Sequence, residues 1–158
     1  MNWAIFIPVV TSSASGFLGY YLKDIGTYKD FIRSRLLEII DHINEVKGIT
    51  TKYWSRDVKA GERNSEDISQ EAEIVALNHA INLSLVSLCK NIDSHDYSQL
   101  TDLAAEIRRS SSGSPFEDNN IDRTSNPQKI KEVHRQCFEM IEKIRSCARS
   151  PQKVWLRW

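Results

Sequence analysis

The chain has 158 residues, 41% hydrophobic and 27% charged, enough for one domain of about 135 residues with a modest core beyond an N-terminal segment. Its formal net charge is zero, and its three cysteines, Cys89, Cys137 and Cys147, are widely spaced with no close CxxC, which argues against a disulfide-stapled secreted domain and fits a reducing compartment. The charge is uneven: residues 62–106 hold nine acidic against two basic side chains, and residues 107–158 eleven basic against six acidic, a polarity that neighbouring helices can neutralise on packing.

The first element is an uncharged apolar run over residues 3–22, followed at once by Lys23. A lipid-spanning helix needs about 20 mostly apolar residues at roughly 1.5 Å per residue. The run meets that length, and Trp3 at one end with Tyr20 and Tyr21 at the other suits the headgroup level. The sequence therefore predicts a single-pass membrane anchor over residues 1–25. Thr11, Ser12, Ser13 and Ser15 dilute it, and two readings compete: a signal peptide cut near residues 13–16, which lacks a basic residue before its apolar core, and a buried or peripheral helix. Lys23, Lys29, Arg33 and Arg35 follow the run, so the positive-inside rule places the C-terminal body in the cytoplasm. Ser12 with Gly16 and Ser15 with Gly19 are small residues four apart, a candidate association face for a homo-oligomer or a polytopic partner.

Residues 26–109 read as the first part of a helical domain. Gly26 is expected to separate the span from a helix whose apolar stripe is Phe31, Ile32, Leu36, Ile39, Ile40, Ile43 and Val46, with Gly48 as its stop. Tyr53 and Trp54 are expected to cover the end of the core. A central helix starts near Ser65 or Asp67 and reaches Lys90; Ile68, Ala72, Val75, Leu83 and Val86 form one strip, widened by Leu77, Ile81, Leu85 and Leu88. Glu66, Asp67, Glu71 and Glu73 favour its N-terminal half electrostatically. A shorter helix over residues 98–109 turns Leu100, Leu103, Ala104 and Ile107 inward.

Residues 110–127, SSSGSPFEDNNIDRTSNP with Ser110 to start it, form a turn-rich stretch predicted to be a flexible loop. Asn126 offers an N-cap and Pro127 a first helical position. The last bundle helix, over residues 128–150, has the stripe Ile130, Val133, Cys137, Phe138, Ile141, Ile144 and Ala148. The tail, residues 151–158, is basic and aromatic; Lys153, Trp155, Arg157 and Trp158 are candidates for membrane or partner contact.

The fold expected is all-α: an N-terminal transmembrane helix followed by an irregular bundle of about four helices. No catalytic, cofactor or metal residue set emerges. His134 and Cys137 share a helical face but are too few for a stable zinc site. Asn78, His79 and Asn82 form a polar group on the central helix, and no phosphate loop, HExxH or dinucleotide fingerprint is present. Nucleic acid is not the expected partner, since the basic tail matches no reader motif. The sequence thus predicts a membrane-anchored interaction or regulatory protein whose cytoplasmic bundle takes a protein partner; the alternative is a membrane-perturbing, toxin-like effector, and a more remote one a helical ribonuclease-like enzyme.

Overall fold

The computed structural model describes residues 3–149, and their side chains from residue 23 onward except at 24 and 25. Four helices account for most of this length: α1, Trp3–Trp54; α2, Ser65–Leu88; α3, Ser94–Ser111; and α4, Pro127–Arg149. The chain divides into two units, residues 1–34 and residues 35–158. The first contains the N-terminal part of α1; the second contains an all-α four-helix bundle.

The core follows heptad-like phasing in every helix. In α1 the buried positions include Leu36, Ile39, Ile43, Val46, Thr50 and Tyr53, alternating three and four residues apart, and in α4 they include Val133, Cys137, Met140, Ile144 and Cys147. That spacing holds one stripe toward the partner helices, as in left-handed bundle packing. Leu100, Ala104, Ile107 and Ser111 give α3 its buried face, and α3 packs against both α2 and α4. Phe138, expected inward, is exposed instead: one residue past Cys137, it is turned about 100° around the helix.

Local chemistry sets the helix ends. Asn64 caps α2 by accepting from Asp67 N at 2.9 Å while Asp67 Oδ2 accepts from Asn64 N at 3.1 Å, a reciprocal capping box. Asp93 caps α3 by accepting from His95 N at 3.0 Å, which starts that helix at Ser94 rather than at Ser98. Gly26 and Gly48 end nothing: α1 runs through both. A glycine inside a helix costs only about 0.5–1 kcal/mol relative to alanine, less than the buried stripe beyond Gly48 returns.

Among the described residues no helix is long and apolar enough to cross a membrane. This corrects the predicted transmembrane helix, and with it the single-pass topology, the membrane-lipid partner and the homo-oligomer through an anchor. The membrane-anchored regulatory protein and the membrane-perturbing effector, which both needed that span, are corrected with it. The physical reason lies in the length and make-up of the helix. A run that barely reached spanning length is diluted by Thr11, Ser12, Ser13 and Ser15, and the 52-residue helix that contains it is studded with charge from Lys23 onward. The side chains of Ser12, Ser15, Gly16 and Gly19, and the whole of Lys153, Trp155, Arg157 and Trp158, lie outside the described residues.

Candidate functional site

Two features of the bundle carry unusual chemistry: a buried cluster of charges at the end where α1 finishes and α2 begins, and the outer face of α2. Both follow from the phasing of α2. Its buried positions include Asp67, Glu71, Ile74, Asn78, Ile81, Leu85 and Leu88, again alternating four and three. Two carboxylates are therefore in register with the core.

Asp67 and Glu71, one turn apart, each take an arginine from a different loop. Arg123 Nη2 lies 2.7 Å from Asp67 Oδ1, with side-chain exposures of only 5% and 1%, and Arg63 pairs with Glu71. Tyr53 donates to Glu71 Oε1 at 2.5 Å, and the Arg123 guanidinium lies 3.8 Å from the centroid of the Tyr53 ring. Arg56 bridges to Glu66 at 2.9 Å and stands 3.9 Å from Asp67. Burial by itself would raise the Asp67 carboxyl; the bond from Arg123, the Asn64 amide and the charges of Arg123 and Arg56 outweigh it and hold the group below its ordinary value.

The loops that deliver these arginines are tied to each other. Val58 and Arg123 exchange two backbone hydrogen bonds of 2.8 Å in an antiparallel bridge. Gly61 N donates to Asn119 O at 2.9 Å, with Gly61 at φ +79°, a conformation glycine takes without a Cβ penalty. Asp122 accepts from Ala60 N at 2.7 Å, Asp57 accepts from Ser125 N at 2.6 Å, and Asn126 N donates to Trp54 O at 2.9 Å. Beside this ribbon, Trp54 donates its indole N–H to Ser111 O at 3.0 Å. Lys129 lies 3.6 Å over the Trp54 ring and donates to Gly113 O at 2.7 Å; burial pushes its ammonium down to about 8.

A shallow cleft of about 240 Å³, counting its open mouth, lies over the cluster, lined by Tyr53, Lys59, Arg63, Glu71, Asn119 and Arg123 among others. It has the composition of a polar site but not its chemistry. Both carboxylates are engaged by arginines, and among the described residues no group of three or more His, Cys, Asp or Glu is placed to hold a metal ion. The cluster fastens the loops to the bundle.

The polar residues singled out in the sequence are dispersed. Asn78 is buried and donates to Ile74 O at 2.8 Å and Ser111 Oγ at 3.2 Å, whereas His79 is exposed and Asn82 half-buried. His79 also stands twelve residues, about 18 Å, along α2 from Asp67 and its arginines. His134 bonds Thr51 Oγ1 at 2.8 Å, while Cys137 is fully buried and its thiol is pushed up to about 12 by burial, so that the pair shares no ligand-binding face.

The outer face of α2 was assigned to the core by the sequence reading, and the structure turns it outward. Ile68, Val75, Leu83 and Val86 are 53%, 48%, 57% and 59% exposed, and exposed Ala72 and His79 complete their stripe. The buried and exposed stripes run parallel along the helix, offset by one residue (Asp67 and Ile68, Ile74 and Val75, Leu85 and Val86). The sequence pattern places both apolar phases of α2 inward, as for a central helix touching more than one neighbour, and does not announce the buried cluster; in the fold Ile81, Leu85 and Leu88 are buried while Ile68, Val75, Leu83 and Val86 are not. The available signal was the phase shared by Asp67, Glu71 and Asn78 with Ile74, Ile81, Leu85 and Leu88, matched by arginines in the flanking loops.

No protein-family model, curated protein or solved structure matches this chain.

Proposed function

We propose that this protein is a helical interaction module whose docking surface is the outer face of α2. The observation that carries this reading is the set of four large aliphatic side chains, Ile68, Val75, Leu83 and Val86, each about half exposed on one stripe of a helix whose neighbouring stripe, about 100° round, is already in the core. A helix apolar on two stripes is normally covered on both, and a contiguous exposed apolar strip on a folded domain marks a contact surface. Fully burying one such side chain is worth about 1.5–3 kcal/mol relative to leaving it exposed. Roughly half of that remains to be gained at each of the four positions. The clasp of Asp67, Glu71, Arg63 and Arg123 supports the same role, since it fixes the first turns of α2 to the bundle and presents the stripe on a rigid element.

A photo-crosslinking residue placed at exposed Ala76, beside the stripe, tests the reading in the producing cell. The expected result is a discrete adduct from Ala76 and none from Glu139, exposed on the outer side of α4. Equal diffuse labelling from both positions, or no adduct from Ala76, would overturn it.

A further inference from the structure

We propose that Lys129 is a modification site of this protein, an amine placed to accept a small acyl group from a thioester. Its seat is what sets it apart. Nζ donates to Gly113 O at 2.7 Å and lies 3.6 Å from the centroid of the Trp54 ring, and Trp54 is itself buried. Glycine at 113 leaves room for it, since a Cβ there would stand 3.0 Å from Nζ. The side chain is half-buried, so it is not sealed from solvent.

The surroundings disfavour an ammonium. Lys129 is the third residue of α4, whose first turn holds no acidic side chain and whose start is capped by Asn126, accepting from Lys129 N at 2.9 Å. A helix start carries partial positive charge, which favours loss of a proton there. Glu132, the next acid along α4, is taken by Arg135 and Gln136, and the facing end of α3 contributes Arg108 and Arg109. Burial acts alone on the ionisation of Lys129, with no carboxylate of α1, α3, α4 or the loops opposing it, and pushes the group down to about 8. At about pH 7.5 roughly a quarter of such amines are neutral, against roughly 0.1% of ordinary lysines. Desolvation of this kind makes a lysine nucleophilic.

In the neutral amine one N–H stays on Gly113 O and the other lies toward the Trp54 ring, which leaves the lone pair on the remaining side. The lone pair attacks the thioester carbonyl carbon, the C–S bond breaks as the C–N bond forms, and the surplus amine proton leaves with the sulfur as a thiol. The resulting amide keeps its N–H for Gly113 O and removes a charge that has no counter-ion.

The test treats the full chain with an acetyl thioester at about pH 7.5 and follows each lysine by peptide mass spectrometry. Lys129 is expected to acetylate at least about tenfold faster than exposed Lys131; the excess is smaller than the difference in free amine because a less basic amine is a weaker nucleophile. Its rate should level off above about pH 8 in the folded chain. In chain unfolded by urea the two lysines should react alike, with rates climbing to about pH 10. A smaller advantage for Lys129 in the folded chain would overturn the inference. So would an advantage that survives urea, or a folded-chain rate that climbs as far as it does in the unfolded one.

Discussion

Arg123 is the residue on which the end of the bundle depends. It pairs with Asp67, lies over the Tyr53 ring and carries the backbone bridge to Val58. Removing one partner of a buried ion pair leaves an uncompensated charge, which costs about 3–5 kcal/mol. Arg123→Met is therefore expected to lower unfolding free energy in urea by that amount, and Asp67→Asn added to it to restore part of the loss. Because the Asp67 carboxyl titrates below its ordinary 3.8 in the folded chain, the unfolded chain binds its proton first as pH falls. The stability it contributes is present above about pH 4 and lost as pH drops toward the folded value; Asp67→Asn should flatten that part of the acid profile. Lys129 gives the opposite sign. Its ammonium ionises normally at 10.5 and in the fold near 8, so between these values the unfolded chain binds more protons and stability rises with pH. Subtracting the pH–stability curve of Lys129→Met from that of the native chain should leave that rise, and a flat difference would refute it.

Among the elements, α2 has the best-defined start and the least ordinary surface. Asn64→Ala removes one half of its capping box, with an expected loss of about 0.5–2 kcal/mol measured by thermal or urea unfolding. Gly48 is exposed within α1, and a Cβ there meets nothing within 4 Å. Gly48→Ala should accordingly stabilise by about 0.5–1 kcal/mol; a loss instead would mean that the helix bends there. Periodicity made four helical segments legible in the sequence. Their ends were less so: the reading stopped the first bundle helix at Gly48 because glycine often caps, yet Thr50, Tyr53 and Trp54 are buried beyond it. What decided the continuation was tertiary, the packing of Tyr53 and Trp54 with Ile74 of α2 and with the residues that close the bundle.

At the scale of the molecule, the two loops that close the bundle behave as one piece. Their bridge at Val58 and Arg123 is backed by the side chains of Asp57 and Asp122. Amides of Val58, Gly61 and Arg123 are expected to exchange slowly, on the timescale of α2 core amides such as Ile81, in native-state hydrogen exchange. Exchange as fast as at an exposed, unbonded loop amide would show that the ribbon opens independently. The bridge joins residues 65 apart, and nothing in the Ser-, Asn- and Asp-rich composition of the second loop or in the mixed charged composition of the first announces it, since the same residues serve turns and disorder equally well.

The sequence by itself determined that the protein is helical, how many apolar stripes its C-terminal body has, and where Asn126 and Pro127 restart the chain, because three- and four-residue spacing and cap chemistry are local properties. It also carried two apolar phases on α2 without saying which faced inward. Only the tertiary structure decided that, through Arg63 and Arg123, which neutralise Asp67 and Glu71 inside and leave Ile68, Val75, Leu83 and Val86 outside. A buried charge is tolerable only when its partner arrives, and Arg123, the partner of Asp67, comes from a loop 56 residues further along the chain, so the choice of face was made in the assembled fold.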